Sequence, residues 1–351
     1  MMKQAQNVRK EDQLNKNNLA LYLSKNIDEF NQTHSLSIKQ YAGGASNLTY
    51  LLEWSDRSII LRTAPIGIVI KNAHDMSREY KVLKLLYPHF NYAPKPLILC
   101  EDESVIGRKF YLMQKIDGII LRRDFNMPFS NQQANLLCQN LIDVHVALHS
   151  VDVKQTGLIE LGHPQGYIKR QISGWNDRYK NAMLDDSYNA SDIMQWLTCN
   201  QPDDEMFCLI HNDYKLDNVV LSPSDPTEII AVLDWEMATI GSPLMDLGCS
   251  LAYWIEAHDS AEMQAIRMMP TNHKGMWTRD QLIDYYVQKS KLDISNFNYY
   301  YIFGLFRLAV IVQQIYQRFA QGKTSNPKFK SFGGIAKILI QQAEKFVGEN
   351  K

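Results

Sequence analysis

Several common sites are missing from this sequence. The five cysteines, Cys100, Cys138, Cys199, Cys208 and Cys249, are odd in number, widely spread and never in a C-x-x-C pair. That excludes a disulfide framework and a zinc knuckle, and a reducing cytoplasm fits best. There is no Walker A pattern, no G-x-G-x-x-G and no G-x-S-x-G, so P-loop, dinucleotide and nucleophile-elbow chemistry lose their support. Charge of one sign is lacking as well. Lys+Arg number 37 against Asp+Glu 38, which leaves no global field for nucleic acid or an anionic membrane. Residues 1–18 carry no apolar run of the kind a signal peptide needs, and residues 1–20 are expected to form a flexible lead-in. The most apolar stretch, 299–319, is interrupted by Arg307, Gln313 and Gln314 and reads as a buried helix rather than a membrane span.

What is there fits a soluble α+β chain of 351 residues, with 45% hydrophobic and 21% charged residues. Residues 37–61 alternate apolar and polar around a Gly43-Gly44 turn and a Ser55-Asp56-Arg57 turn, a hairpin series. Residues 76–86 follow with helical periodicity, and 95–100 and 109–113 read as two more strands. Beyond Gly118 the period turns helical, over 131–148, 166–183, 190–197, 279–289 and 299–319. Within that region 218–221 and 228–233 form a small hairpin around Ser222-Pro223-Ser224-Asp225-Pro226. The expected division is an N-lobe over 21–118, including a hinge, and a helical C-lobe over 119–351.

The densest cluster of reactive side chains is H-x-D-x-x-x-x-N at His211, Asp213 and Asn218, followed after the hairpin by Asp234. Phosphoryl transfer needs a carboxylate to orient a hydroxyl and oxygen ligands for magnesium, held rigidly at strand ends. Asp213 fits the proton acceptor, Asn218 and Asp234 the metal ligands, and Lys215 a cation for the moving phosphoryl group. His211 is placed to orient the loop. His145 and His149 stand at i, i+4, a spacing that also suits zinc, but no H-E-x-x-H glutamate accompanies them and helix packing is the better reading.

These segments resemble the catalytic and metal loops of the protein-kinase-like superfamily, in its aminoglycoside phosphotransferase family. The resemblance covers nearly the whole chain. It implies a bilobal fold that binds ATP and Mg²⁺ between its lobes and phosphorylates a small-molecule hydroxyl acceptor. The segment from Gly43 to Tyr50, with Gly44, Ser46 and Asn47, is similar to that family's nucleotide loop. Arg62 stands where kinases carry lysine, Glu79 matches its helical partner, and the backbone from Gln114 through Ile116 matches the adenine hinge. Asp246 matches the carboxylate that braces the catalytic loop.

Arg170 with Trp175, and Phe306-Arg307-Leu308-Ala309, resemble the branch linked to acyl-CoA dehydrogenases, which implies a hydroxyacyl-CoA-like acceptor. Residues 167–179 interleave Lys169, Arg170 and Arg178 with aromatics and one acid, leaning toward an anionic acceptor. Arg170, Trp175 and Arg178 are therefore candidate acceptor contacts. The rivals are an aminoglycoside antibiotic phosphotransferase and a non-catalytic pseudokinase. The intact trio Asp213, Asn218 and Asp234 speaks against the second.

Overall fold

A computed structural model describes residues 5–31, 33–41, 47–65, 75–203, 206–292, 294, 297–324 and 326–348. Along the chain the elements are β1 (Gln6–Asn7), α1 (Lys16–Asn26), β2 (Ser37–Gln40), β3 (Leu48–Trp54), β4 (Arg57–Thr63), α2 (Met76–Leu86), β5 (Pro96–Cys100) and β6 (Phe110–Gln114). There follow α3 (Asn131–His149), α4 (Tyr167–Ala182), α5 (Ser191–Cys199), β7 (Cys208–Ile210), β8 (Val219–Leu221), β9 (Ile229–Val232) and β10 (Thr239–Gly241). The chain closes with α6 (Pro243–Leu251), α7 (Ala261–Ile266), α8 (Arg279–Ser290), α9 (Phe297–Ala320) and α10 (Phe332–Gly348).

Two compact units result. The first runs through Ile120 and takes in Val219–Asp225 and Ile229–Ala238. Its sheet has the strand order β1-β2-β3-β4-β6-β5, antiparallel throughout. Alternation along β3 and β4 places Tyr50, Leu52, Ile59 and Leu61 in one core with Phe110, Leu112 and the α1 residues Leu19 and Leu23. Helix α2 starts at Asp75, whose side chain accepts the Arg78 amide, and buries Met76, Glu79, Val82, Leu83 and Leu86. A carboxylate on an otherwise apolar face needs a partner, and its partner comes from β4.

The lead-in differs from the expectation of a flexible 1–20. β1 pairs with β2, Asp12 is buried, Gln40 Nε2 donates to Asp12 Oδ2 at 2.8 Å, and Tyr50 OH donates to Asp12 O at 2.7 Å. Its polar composition conceals this, because the polar groups have buried partners far along the chain.

A second difference is the hairpin β8–β9, expected within 119–351 but packed in the first unit. Ile119 and Leu221 exchange backbone hydrogen bonds of 2.8 Å in both directions, and the Val232 amide donates to Tyr92 O at 2.8 Å. Only glycine fits at 118, since a Cβ there would lie 2.4 Å from Leu221 O.

The second unit is helical. Its axis is α9, whose buried residues include Tyr299, Ile302, Phe303 and Phe306, covered by α4, α6 and α10. Helices α6 and α9 touch backbone to backbone: a Cβ on Gly304 would lie 2.2 Å from Gly248 O. Helix α10, which periodicity did not single out, buries Ala336, Leu339, Ile340 and Ala343.

Candidate active site

The loop 211–218 leaves β7 through Asn212, whose φ of 65° is left-handed, a region asparagine tolerates better than most residues. Helix α6, capped by Ser242 with Pro243 in its first turn, carries Asp246 beneath that loop. Asp246 Oδ2 accepts the His211 amide at 2.9 Å and Oδ1 accepts the Asn212 amide at 2.6 Å. His145 Nε2 and His149 Nε2 each lie 3.1 Å from Oδ2, and His149 Nδ1 reaches Tyr286 OH at 2.7 Å.

Burial pushes the Asp246 carboxyl up, but the hydrogen bonds from His145 and His149 outweigh it and hold the group well below the usual carboxylate range. Burial, then His149, lowers His145 to about 4. The ligand atoms of His145, His149 and Asp246 all lie within 4.8 Å, close enough for a metal. Their hydrogen bonds instead make them one brace, which ties α3 and α6 to the loop.

Above the brace, His211 Nδ1 accepts the Asp213 amide at 3.2 Å. Asn218 Nδ2 donates to Asp213 O and Oδ2, both at 2.8 Å, which leaves its amide oxygen as the acceptor atom. Lys215 Nζ pairs with Asp213 Oδ2, lies 3.5 Å from Asp217 Oδ1 and sits over the Tyr253 ring. Burial opposes the Lys215 charge, yet Asp213, with Tyr253 and Asp217, raises its pKa. The loop thus presents one carboxylate held by a cation and an amide, a geometry able to take a hydroxyl proton.

A separate cluster forms in the first unit around Arg62 on β4. Its Nη1 lies 3.4 Å from Glu79 Oε1, and its Nη2 lies 2.9 Å from Asp234 Oδ1 and 3.6 Å from Glu236 Oε2. Asn47 Nδ2 donates to Glu236 Oε2 at 2.5 Å. Burial opposes the Arg62 charge, but Glu79 and Asp234 outweigh it and raise its pKa. Burial also raises Glu79, more than Arg62 lowers it. Asp234 has a φ of 71°, again left-handed, where β9 ends.

One guanidinium faces three carboxyl groups, so the cluster is anionic when all are ionised. Hard oxygen donors with surplus negative charge fit Mg²⁺, and among the described residues the buried Glu79 Oε2 has no hydrogen-bond partner.

The other predicted residues fall out as follows. Gly43, Gly44 and Ser46 lie outside the described residues. Gln114 ends β6 with its amide donating to Lys95 O at 2.9 Å, and Ile116 follows just before the Ile119–Leu221 bridge. The Arg170 guanidinium donates to the carbonyls of His163 and Gln165, bracing the loop ahead of α4. Trp175 carries two cations, Arg178 at 4.6 Å and Arg307 at 5.2 Å from its ring centre. Arg307 and Tyr253 had no assigned role from sequence. Both act electrostatically with Asp213, and Arg307 is far from it in the chain.

No described helix is long and apolar enough to cross a membrane. Residues 37–279 match the phosphotransferase enzyme family. Acyl-CoA dehydrogenase family member 11 of Rattus norvegicus is 35% identical over 88% of this chain and 40% of its own length, and family member 10 of Mus musculus 32% identical over 90% and 30%. The chain thus spans well under half the length of these curated relatives.

Among solved structures, a putative aminoglycoside phosphotransferase from Ralstonia eutropha JMP134 is 28% identical, covers 96% of this chain and 99% of its own, and has a TM-score of 0.81. Choline kinase from Cryptosporidium parvum, 14% identical over 94% and 96% with a TM-score of 0.63, shares the fold. The architecture is the protein-kinase-like one, with an antiparallel sheet in one unit and helices in the other. Since the match extends from β2 to the start of α8, taking in both side-chain clusters, this chain belongs to the phosphotransferase enzyme family.

Proposed function

We propose that the chain is an ATP-dependent small-molecule kinase that phosphorylates a hydroxyl of an oxygenated acyl metabolite, of which a hydroxyacyl-CoA is the type. The observation that carries the reading is Asp213, presented by Lys215 and Asn218 on a loop that Asp246 braces. The acceptor oxygen attacks the γ-phosphorus, the bond to the β,γ-bridging oxygen breaks, ADP leaves, and the hydroxyl proton passes to Asp213.

Asp234 and the Asn218 amide oxygen are the donors we assign to Mg²⁺, which neutralises phosphate charge when bound. Arg62, Glu79, Asn47, Gly43, Gly44, Ser46 and the hinge backbone from Gln114 through Ile116 are the residues we assign to nucleotide binding. The acyl assignment is supported by the relatives named as acyl-CoA dehydrogenase family members, and by Arg178 and Arg307 at Trp175.

The test is ADP release from Mg·ATP across hydroxyacyl-CoAs, free hydroxy acids, choline and aminoglycosides, with the phosphorylated product identified by mass. Turnover of an oxygenated acyl compound is the expected result. Turnover of kanamycin or hygromycin B alone would establish the antibiotic reading instead, and nucleotide binding without any turnover the pseudokinase one.

A further inference from the structure

Arg307 stands on α9 where the Gly248–Gly304 contact draws α6 and α9 together, and it is 4% exposed. Its guanidinium lies against the Trp175 ring and within hydrogen-bonding reach of the Cys249 thiol. Among the described residues no carboxylate lies within ion-pairing distance of it. A buried charge is normally paired, because desolvation costs several kcal/mol per ion.

The groups that act on Arg307 are Cys249, Tyr253, Asp213 and Tyr167. Burial pushes the Cys249 thiol up to about 11 and raises both phenols, so these three are neutral near pH 7. Asp213 alone supplies negative charge, and it is already held by Lys215 and Asn218. Burial opposes the Arg307 charge, but these neighbours outweigh it and raise its pKa, so Arg307 is a permanent cation in the field of the candidate base with no carboxylate paired to it among the described residues.

We propose that Arg307 is the specificity residue of the acceptor site, its guanidinium taking a carbonyl or carboxylate oxygen that lies a few bonds from the hydroxyl received by Asp213. The proposal rests on the reading of Asp213 as the base. It adds the contact that would recognise this acceptor: the oxygen function of a hydroxy acid or its thioester bound at Arg307, whose guanidinium carbon lies 5.2 Å from the Trp175 ring centre. An aminoglycoside would set ammonium groups against this guanidinium, so the same residue selects against polycations.

The experiment compares wild type, Arg307→Lys and Arg307→Gln with hydroxybutyryl-CoA isomers, free hydroxybutyrates and kanamycin, recording acceptor KM, ATP KM and melting temperature. Loss of a charge-assisted contact raises acceptor KM roughly ten-fold or more in Arg307→Gln at constant ATP KM. Lysine recovers only part, because it lacks the planar fork. The CoA and free-acid arms tell a thioester carbonyl from a carboxylate.

Three outcomes with turnover overturn the proposal. In the first, wild type turns over the acyl acceptors and Arg307→Gln keeps the same acceptor KM, which leaves the kinase reading intact. In the second, both variants lose stability and both KM values rise together, which makes Arg307 a structural brace. In the third, kanamycin is the acceptor. If wild type turns over nothing, the kinase reading fails. The binding proposal is then read from the melting temperature: hydroxybutyrate must stabilise wild type and not Arg307→Gln, and an equal or absent shift overturns it.

Discussion

Two buried arginines, Arg62 on β4 and Arg307 on α9, are compensated in opposite ways. Arg62 is ringed by Glu79, Asp234 and Glu236, three carboxyl groups for one guanidinium. Arg307 has a thiol and an aromatic face close by, and the field of a carboxylate that other groups already hold. Isolated ion pairs would leave neither surplus. The first cluster carries surplus negative charge and the second a cation without a paired carboxylate, which suit the Mg²⁺ and the oxygenated acceptor that we propose. The loop 211–218 is the third case: Asp246 is fully engaged and serves to hold backbone, whereas Asp213 sits on that backbone against Lys215 and Asn218.

The largest break in this picture is expected from Asp213→Asn. Turnover should fall by a hundred- to ten-thousand-fold with ATP affinity nearly intact, since an amide keeps the shape but cannot accept the proton. Steady-state kinetics beside nucleotide titration checks both halves, and unchanged turnover would remove Asp213 from the reaction.

Asp246→Ala should act on stability. Removing the partner of two buried histidines and two backbone amides should cost about 3–5 kcal/mol, read by denaturant unfolding. The same brace predicts an acid limit. His145 titrates near 4 folded against about 6.5 unfolded, so the unfolded chain binds more protons between these values and stability falls as pH drops through that window. The loss approaches 3 kcal/mol, on the order expected for a shift of this size. Asp246 adds stability that is full above its unfolded pKa, near 4, and fades below it. A His145→Gln variant should lose the dependence between pH 6.5 and 4, and an unaltered slope would contradict the assignment.

Much of this site is legible in the sequence because its parts are local. The H-x-D-x-x-x-x-N spacing, the hairpin and Asp234 are contiguous, and the strand and helix periods around Arg62 and Glu79 are strong. What is not legible depends on contacts across long separations. His145 and His149 show their i, i+4 spacing and read as helix packing, but Asp246 is 101 residues from His145, so their part in a brace under the loop shows only in the fold. Arg307 lies within an apolar run, where a lone arginine reads as an interruption. The two carbonyls that the Arg170 guanidinium meets in its own loop are likewise not visible in a sequence that shows only a cation beside aromatics.

Asp234→Asn sharpens the surplus-charge argument at smaller scale. Loss of one anionic ligand should weaken Mg·ATP binding by ten- to a hundred-fold, and the defect should shrink as magnesium is raised. Affinity independent of magnesium in both proteins would deny Asp234 the metal role.

The smallest effect is expected from Arg62→Lys. Arg62 meets its carboxylates at 2.9, 3.4 and 3.6 Å from two different nitrogens, so most of its attraction is charge rather than a matched fork on one carboxylate. An ammonium keeps that charge at shorter reach. The variant should therefore raise ATP KM only a few-fold, about 1 kcal/mol, while Arg62→Met leaves three carboxyl groups unopposed and should lose far more. Comparison with Arg307→Lys makes the contrast decisive. At Arg307 the guanidinium carbon lies 5.2 Å from the Trp175 ring centre and offers a planar fork that lysine lacks, so that change should be the more damaging to catalysis, and should act on the acceptor KM rather than on ATP. Equal sensitivity of the two positions to lysine would mean that geometry matters no more at one arginine than at the other, and the distinction between their environments would fall.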